Sequence, residues 1–210
     1  MSVGRIIETD QDIAEGSAWL AAHDPRFAKA LEMTGPLPLR RREDGYPAML
    51  SAIVSQQLSV AAARGIWGKL EAAGAHTMHG CRQMSDDDLR ACGLSRPKIK
   101  YVRGLIDADV DFEALRTLPD ADVIAQLVAI KGVGVWTAEI YAMFSLGRAD
   151  VFAPGDLALQ EAARMLFDLP ERPKDKPLRQ MAQAWSPWQS VAARLLWAYY
   201  HVVKSREGIT

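Results

Sequence analysis

The sequence predicts an all-α fold, and three observations lead to this prediction. Apolar residues recur at the 3.6-residue spacing of a helix over most of the chain, for example in PAMLSAIVSQQL at 47–58. No segment alternates apolar and polar residues for long enough to make a strand. Serine, aspartate, proline and glycine stand where the apolar runs begin and end. We therefore expect about ten helices joined by short loops.

Start and stop signals give the helices of the first half in order. A first helix is expected in IAEGSAWLAAHD, and the helix at 47–58 is followed by one that begins at Ser59 and stops at Gly74. Ser85 is expected to cap the next helix, in which three aspartates suit the positive end of the helix dipole. Pro97 then occupies a favoured place in the first turn of its helix.

The second half contains a compact helix–turn–helix over about residues 120–144, with its turn at Lys131-Gly132-Val133-Gly134. Asp156 stands at the expected N-cap of a later helix, and PWQSVAARLLWAYYHVV makes the last long one. The proline- and charge-rich stretch PERPKDKP between them is expected to be a connection.

A chain of 210 residues is long enough for two lobes that share a cleft. The helix pattern places a central helical bundle at about 46–148. The flanking segments, 1–45 and 149–210, are then expected to form the second helical lobe.

The composition is that of an ordinary globular protein, with 49% apolar and 24% charged residues. No apolar run approaches the roughly 20 residues that cross a bilayer, and the acidic N-terminal segment is unlike a signal peptide. Cys81 and Cys92 are too few for a disulfide framework or a four-cysteine iron–sulfur cluster. We expect a cytoplasmic protein without such a cluster and without membrane contact.

The charge balance gives no general indication of a nucleic-acid partner, because the net charge is −1 and the pI is about 6.4. Local basic stretches at 39–44 and 95–103 are most simply solvated surface. His76 and His79 are also expected on the surface, since no third metal ligand stands at a matching spacing.

The turn of the helix–turn–helix could accept a phosphate. Glycine at 132 and 134 removes two Cβ atoms and allows another molecule to approach the backbone closely. The first N–H groups of the following helix have no intrahelical partner, and the helix dipole adds partial positive charge there. Such a site binds a phosphate oxygen without reading a base. A plain corner between two helices is the alternative.

Residues on both sides of the turn carry a more specific resemblance. IKGVGVWTA resembles the helix–hairpin–helix motif of the HhH-GPD superfamily of DNA base-excision glycosylases, and DVFAPGDLALQ resembles the loop that carries its essential aspartate. AIVSQQLSVAAARGIWGKL and WSPWQSVAARLLW resemble segments of AlkA-type 3-methyladenine DNA glycosylase II. The resemblance covers about 46–200. The 45 residues before it are too few for the N-terminal α+β domain of the best-known bacterial members, so a compact, all-helical form is implied.

The resemblance implies that Asp156 is catalytic, either by orienting a water or by stabilising the oxocarbenium-like sugar. Without the resemblance, a simple N-cap is the better interpretation of this aspartate. Glycosylases that also cut the strand keep a lysine nucleophile where this chain has Trp136. The resemblance therefore implies release of a base without lyase activity.

Aromatic residues are the candidates for a base pocket. Trp136 is expected to stack on a flipped, positively charged base. Tyr46, Tyr141 and Phe152 are further candidates for its walls, although core packing is the simpler role for each of the three. The other five tryptophans are expected chiefly in the core.

The remaining site residues are assigned by their position in the motif. Gln57 and Leu58 are candidates for the wedge that fills the space left by a flipped base, with a buried leucine as the alternative for Leu58. The resemblance implies a structural Na+ or K+ at the hairpin, bound by the carbonyls of Val128, Ile130 and Val133. It implies no organic cofactor. The backbone-binding residues are Lys131, Gly132, Val133, Gly134, Val135 and Thr137.

The sequence as a whole predicts a monomeric, monofunctional glycosylase for alkylated, 3-methyladenine-type bases in double-stranded DNA, nucleoid-associated if the source is bacterial. One alternative is a superfamily member that acts on another damaged or mismatched base. A second alternative, from a different class, is a catalytically silent DNA-binding module.

Overall fold

A computed structural model describes residues 3–206 of the chain. Within that range the protein is all-α, as predicted, and its β-structure is limited to an isolated bridge between Ile6 and Arg148. The helices are α1 (Asp10–His23), α2 (Pro25–Thr34), α3 (Tyr46–Ser55), α4 (Val60–Ala72), α5 (Met78–Gln83), α6 (Asp86–Ala91), α7 (Arg96–Asp107), α8 (Phe112–Leu115), α9 (Asp120–Val128), α10 (Val135–Phe144), α11 (Leu157–Leu166), α12 (Asp175–Ala182) and α13 (Gln189–Arg206), with a 3-10 turn at Gln183–Trp185.

The described chain divides into two compact units. The first comprises Arg42–Tyr141 together with Val3, and the second comprises Gly4–Arg41 with the chain from Ala142 onward. These boundaries lie a few residues before those expected at 45/46 and 148/149, and the later one falls within α10.

Local signals explain where helices of the first unit begin and end. Ser59 caps α4, and Ser85 forms a reciprocal capping box with Asp88 at the start of α6. Pro97 lies in the first turn of α7. Gly74, with φ +73°, follows the end of α4. The predicted starts and stop are confirmed.

Helix α3 anchors the core of the first unit because it packs against both α4 and α7. Its apolar face supplies Met49, Leu50, Ile53 and Val54, which are almost fully buried. This packing fixes the end of α3, from which the short connection to α4 begins.

Helix α13 organises the second unit by packing against α1, α2 and α11. Its buried Arg194 donates hydrogen bonds to Ser190 and to the Leu39 carbonyl, and it lies 4.6 Å from the centre of the Phe144 ring. Burial lowers the pKa of Arg194 to about 10. This packing fixes the face of α13 that lies against α11.

Four helices were not predicted: α2, α5, α8 and α12. α2 has readable signals, an Asp24 N-cap followed by proline. α12 begins inside the stretch expected to be a connection, where Pro177 is tolerated because it lies in the first turn. Among the described residues, no helix is both long and apolar enough to span a bilayer.

Candidate functional site

The helical hairpin consists of α9 and α10. Its outer limits, Asp120 and Phe144, coincide with the predicted range of 120–144. The first helix ends at Val128, two residues before the expected end at Ile130, with Ala129 as its C-cap. The turn therefore spans 129–134.

Gly132 is required by the protein's own packing. Its φ is +92°, and an added Cβ would lie 2.3 Å from the ring of Tyr101 on α7. The same helix approaches the turn again at Gly104, where an added Cβ would lie 3.2 Å from the Cβ of Lys131. The hairpin turn thus rests closely on α7.

Gly134 is exposed and differs from Gly132 in its surroundings. An added Cβ would meet nothing within 4 Å, so no contact in the described chain requires glycine there. Ala138 makes the first regular backbone bond of α10, to the Gly134 carbonyl at 3.0 Å. The N–H groups of Val135, Trp136 and Thr137 precede that bond and lie at the positive end of the helix. This arrangement suits a phosphate.

Two of the predicted backbone-binding residues are less suited to that role than the others. The Val133 N–H donates to the Ile130 carbonyl at 3.0 Å, so the turn itself uses this donor. Thr137 is 7% exposed, which leaves its backbone N–H but not its hydroxyl as a candidate group. Lys131 is exposed beside the turn, and its role in binding a phosphate stays a prediction.

The carbonyls implied for a cation stand at the end of α9 and in the turn. Val128 is the last residue of α9, where carbonyls lack intrahelical donors. The Ile130 carbonyl accepts one hydrogen bond, from Val133, and keeps its second lone pair. Carbonyl oxygens at the negative end of a helix attract a cation, and a Na+ or K+ on the carbonyls of Val128, Ile130 and Val133 stays a prediction.

Trp136 lies in the first turn of α10, directly after the glycine turn, and it is 46% exposed. Its neighbour Val135 is also exposed. An indole that leaves nearly half of its surface open offers an aromatic face for stacking. The location agrees with the predicted stacking role, which stays a prediction.

The three further pocket candidates are buried. Tyr46 and Tyr141 lie in the core of the first unit, and Phe152 packs edge-on against Trp185 in the second. The Tyr141 hydroxyl accepts a hydrogen bond from the Gly45 N–H at 2.8 Å, and burial raises the pKa of Tyr141 to about 12. Burial also raises the pKa of Tyr46. Each ring has a clear packing role, and its place in a base pocket stays a prediction.

Asp156 is the N-cap of α11, as predicted from sequence. Its Oδ1 atom accepts hydrogen bonds from the N–H groups of Ala158 and Leu159, at 2.9 and 3.1 Å. The indole N–H of Trp197 donates to the same oxygen at 3.2 Å. Asp156 remains half-buried, and its neighbour Leu157 is 62% exposed. The carboxylate is therefore oriented from two elements while lying at the surface.

Trp197, which is expected in the core from the sequence, instead contacts Asp156. It is half-buried on α13, and its ring also lies 5.8 Å from that of Phe144. The core prediction is right for Trp185 and Trp188, which are buried. Trp19 and Trp67 are also half-buried rather than fully enclosed. The position of Trp197 in a motif that resembles the closing helix was the available signal.

The wedge candidates lie in the connection between α3 and α4. Gln57 is exposed, and Leu58 is 39% exposed, so the alternative of an ordinary buried leucine is wrong. Both side chains are accessible to a partner molecule. Over the described part of the chain, no group of three or more histidine, cysteine, aspartate or glutamate side chains is arranged to hold a metal ion.

A comparison with protein families agrees with this geometry. The family model of the HhH-GPD superfamily of base excision DNA repair proteins matches residues 50–188, a range that includes Gln57 and Leu58, the hairpin and Asp156. The chain belongs to the HhH-GPD superfamily.

Individual members of the superfamily are similar over nearly the whole chain. The crystal structure of a DNA-3-methyladenine glycosidase from Bacillus halodurans is 33% identical, with a TM-score of 0.81 over 96% of this chain and 94% of that one. A Schizosaccharomyces pombe 3-methyladenine DNA glycosylase in complex with abasic DNA is 29% identical, with a TM-score of 0.74 over 87% and 95%. The S. pombe protein called alkylbase DNA glycosidase-like protein mag2 is 26% identical, over 90% of this chain and 94% of its own length.

Proposed function

We propose that this superfamily member is a monofunctional DNA glycosylase that hydrolyses the N-glycosidic bond of alkylated, 3-methyladenine-type bases in double-stranded DNA. The observation that carries the proposal is the half-buried Asp156, whose carboxylate accepts hydrogen bonds from the N–H groups of Ala158 and Leu159 and from the indole of Trp197. A preoriented carboxylate stabilises positive charge that develops on the sugar as the base departs. The names of the similar proteins support the same substrate class.

The charge of the substrate explains why one carboxylate is sufficient. Hydrolases of sugars usually use a second carboxyl group to protonate the leaving group. An alkylated purine already carries positive charge, so its glycosidic bond is weakened without an acid. Asp156 then needs only to stabilise the oxocarbenium-like sugar or to orient the attacking water.

Trp136 supplies recognition of the base in this proposal. A target base must leave the duplex, which costs a few kcal/mol that stacking in the enzyme offsets. The exposed indole gains cation–π energy of about 1–2 kcal/mol from a positively charged base. Since an indole has no amine, Trp136 cannot form the Schiff base with the sugar that a strand-cleaving lyase requires. The product is therefore an abasic site in an intact strand.

The hairpin supplies the contact with double-stranded DNA. The N–H groups of Val135, Trp136 and Thr137 hold a phosphate, Gly134 lets it approach, and Lys131 adds a positive charge. A Na+ or K+ on the carbonyls of Val128, Ile130 and Val133 would add positive charge beside that phosphate. We propose that the protein acts as a monomer, in the cytoplasm or on the nucleoid of a bacterium, without an organic cofactor.

A base-release assay on duplexes that each carry one lesion tests the function. The panel is 3-methyladenine, 7-methylguanine, hypoxanthine, 1-methyladenine and uracil. We expect release of the alkylated purines and no borohydride-trapped adduct with the DNA. Asp156→Asn protein, which keeps an N-cap, is the matched inactive control.

Each outcome of that assay separates the alternatives. Release confined to hypoxanthine or uracil would favour a superfamily member for deaminated bases. Binding without release from any duplex would favour the silent DNA-binding module. A trapped adduct would contradict the absence of lyase chemistry.

A further inference from the structure

The connection between α3 and α4 is a tight turn with an unusual residue at its centre. The Leu58 N–H donates to the Ser55 carbonyl at 3.2 Å and closes the turn. Gln56 has φ −51° and ψ 127°, and Gln57 has φ +56°, which are close to the angles of a type II turn. Glycine normally occupies the second central position of such a turn. We call residues Ser55–Leu58 the probe turn.

The presence of glutamine rather than glycine at position 57 indicates that the Gln57 side chain has a functional role. A residue held in the left-handed region is strained unless its surroundings maintain it, and such residues cluster at functional sites. Gln57 is exposed, so packing in the described chain does not account for the choice. The turn presents the Gln57 side chain outward.

Gln56 is the group that maintains the turn. Its side-chain amide Nε2 donates a hydrogen bond to the Gly132 carbonyl at 3.0 Å, although the two residues are 76 positions apart. Gln56 is half-buried, so this bond is partly shielded from water. The probe turn is thereby fastened to the residue whose positive φ shapes the hairpin turn.

Helix α7 contacts both the end of α3 and the hairpin turn. Lys98 Nζ donates to the Val54 carbonyl at 2.5 Å, at the end of α3, and Tyr101 packs its ring on Gly132. Positions 98 and 101 lie three residues apart, which places them on one face of α7. The end of α3, helix α7 and the hairpin turn therefore meet at one place. The Gln56 hydrogen bond joins the probe turn directly to the hairpin turn.

We propose that Gln56 is a positioning residue that fixes the probe turn to the DNA-gripping hairpin and so directs Gln57 into the space left by a flipped base. The inference rests on the proposed function for its substrate, double-stranded DNA with a displaced base. When the hairpin binds a phosphate, the tether sets the distance between that phosphate and the Gln57 side chain. Without the tether the hairpin still binds DNA, but the probe turn is free to move relative to it.

The test uses fluorescence and needs no catalysis. The DNA is a duplex that carries 2-aminopurine beside a tetrahydrofuran abasic analogue. A side chain that enters the abasic gap unstacks the 2-aminopurine and raises its fluorescence. Gln56→Met keeps the side-chain length and removes the donor, and Gln56→Glu leaves only an acceptor. Gln83→Met, at an exposed position in α5, is the matched control.

At saturating protein, we expect the fluorescence rise to fall about three- to tenfold in both Gln56 variants, the range that follows from loss of one hydrogen bond. Their Kd for undamaged duplex and their thermal unfolding should stay close to wild type, about twofold at most for Kd. The control should match wild type in all three measurements.

Failure of the tether and failure of the proposed function give different results. An unchanged fluorescence rise in Gln56→Met overturns the tether, as does wild-type protein that releases alkylated bases but produces no rise. A Gln56→Met protein that loses stability and all DNA affinity together also overturns it, because the role is then only structural. Wild-type protein that unstacks the 2-aminopurine but releases no alkylated base contradicts the proposed function. This result does not contradict the role of Gln56.

Discussion

The N-termini of α10 and α11 are built in opposite ways. The residue before α10 is Gly134, which has no side chain to accept a hydrogen bond from the helix. The residue before α11 is Asp156, whose carboxylate accepts from two backbone N–H groups and from Trp197. The N-terminus of α10 is therefore suited to an anionic group of a partner molecule. The N-terminus of α11 is already occupied by the carboxylate of Asp156. In the proposed function, the positive end of α10 binds a DNA phosphate, and the positive end of α11 holds the carboxylate that stabilises the sugar.

The hairpin turn contains a second contrast, between its two glycines. Gly132 satisfies the protein's own packing against Tyr101, whereas no residue of the described chain crowds Gly134. A pattern of two glycines therefore has two different causes. Packing explains Gly132, and we propose that Gly134 is a glycine because a second molecule approaches the backbone there.

The largest effect is expected when the anion of α11 is neutralised. Asp156→Asn should lower the single-turnover rate of alkylated-base release about a thousandfold, because charge stabilisation at the sugar is lost. Asparagine caps a helix about as well as aspartate, so the free energy of unfolding should change little. Asp156→Ala, the control for the cap, should destabilise by about 1 kcal/mol. Normal turnover by the asparagine variant would refute the catalytic role.

The next largest effect concerns the aromatic face on α10. Trp136→Ala should lower release of 7-methylguanine about tenfold, since cation–π energy of about 1–2 kcal/mol is lost. Release of neutral hypoxanthine, if the enzyme accepts it, should fall clearly less. The measurement is the ratio of single-turnover rates on the two duplexes. Equal losses would contradict a cation–π contribution.

The two glycines should respond differently to the same substitution. Gly132→Ala should lower the free energy of unfolding by about 1–3 kcal/mol, because the left-handed backbone and the Tyr101 ring both oppose a Cβ. Gly134→Ala should change it by less than about 0.5 kcal/mol. Denaturant unfolding of both proteins gives the comparison. Similar losses of stability would show that Gly134 also has an internal role.

The smallest effect is expected at the indole that supports Asp156. Trp197→Phe removes one donor to Oδ1 and leaves two backbone donors in place. We expect about a threefold lower rate of release with unchanged DNA affinity, in line with one neutral donor. Trp188→Phe, at a buried position, serves as the control for loss of an indole. An unchanged rate in Trp197→Phe would contradict a role of the Trp197 indole in orienting the carboxylate.

Much of the fold was predictable because its signals are local. The capping residues Ser59, Ser85 and Asp156 mark helix starts within a few positions, and the glycine turn locates the hairpin. Short helices such as α8 were missed because four residues carry no periodicity. α12 was missed because its prolines and charges are typical of loops.

The contacts that complete the site could not be predicted in the same way. Trp197 meets Asp156 across 41 positions, and Gln56 meets Gly132 across 76. No spacing in the sequence encodes such pairs, since they depend on how helices pack. The left-handed Gln57 was equally hidden, because sequence preferences place glycine at such a position.

The equilibrium affinity of two variants for one duplex tests the contrast between the helix ends most directly. The duplex carries a tetrahydrofuran abasic analogue, and Kd is measured at a single fixed salt concentration. Gly134→Ala should raise Kd about three- to tenfold, because a methyl group displaces the phosphate from the N–H groups of α10. Asp156→Asn should leave Kd unchanged or lower it, because a negative charge is removed from the vicinity of polyanionic DNA. Weaker binding by Asp156→Asn, or unchanged binding by Gly134→Ala, would contradict the division of roles between the two helix ends.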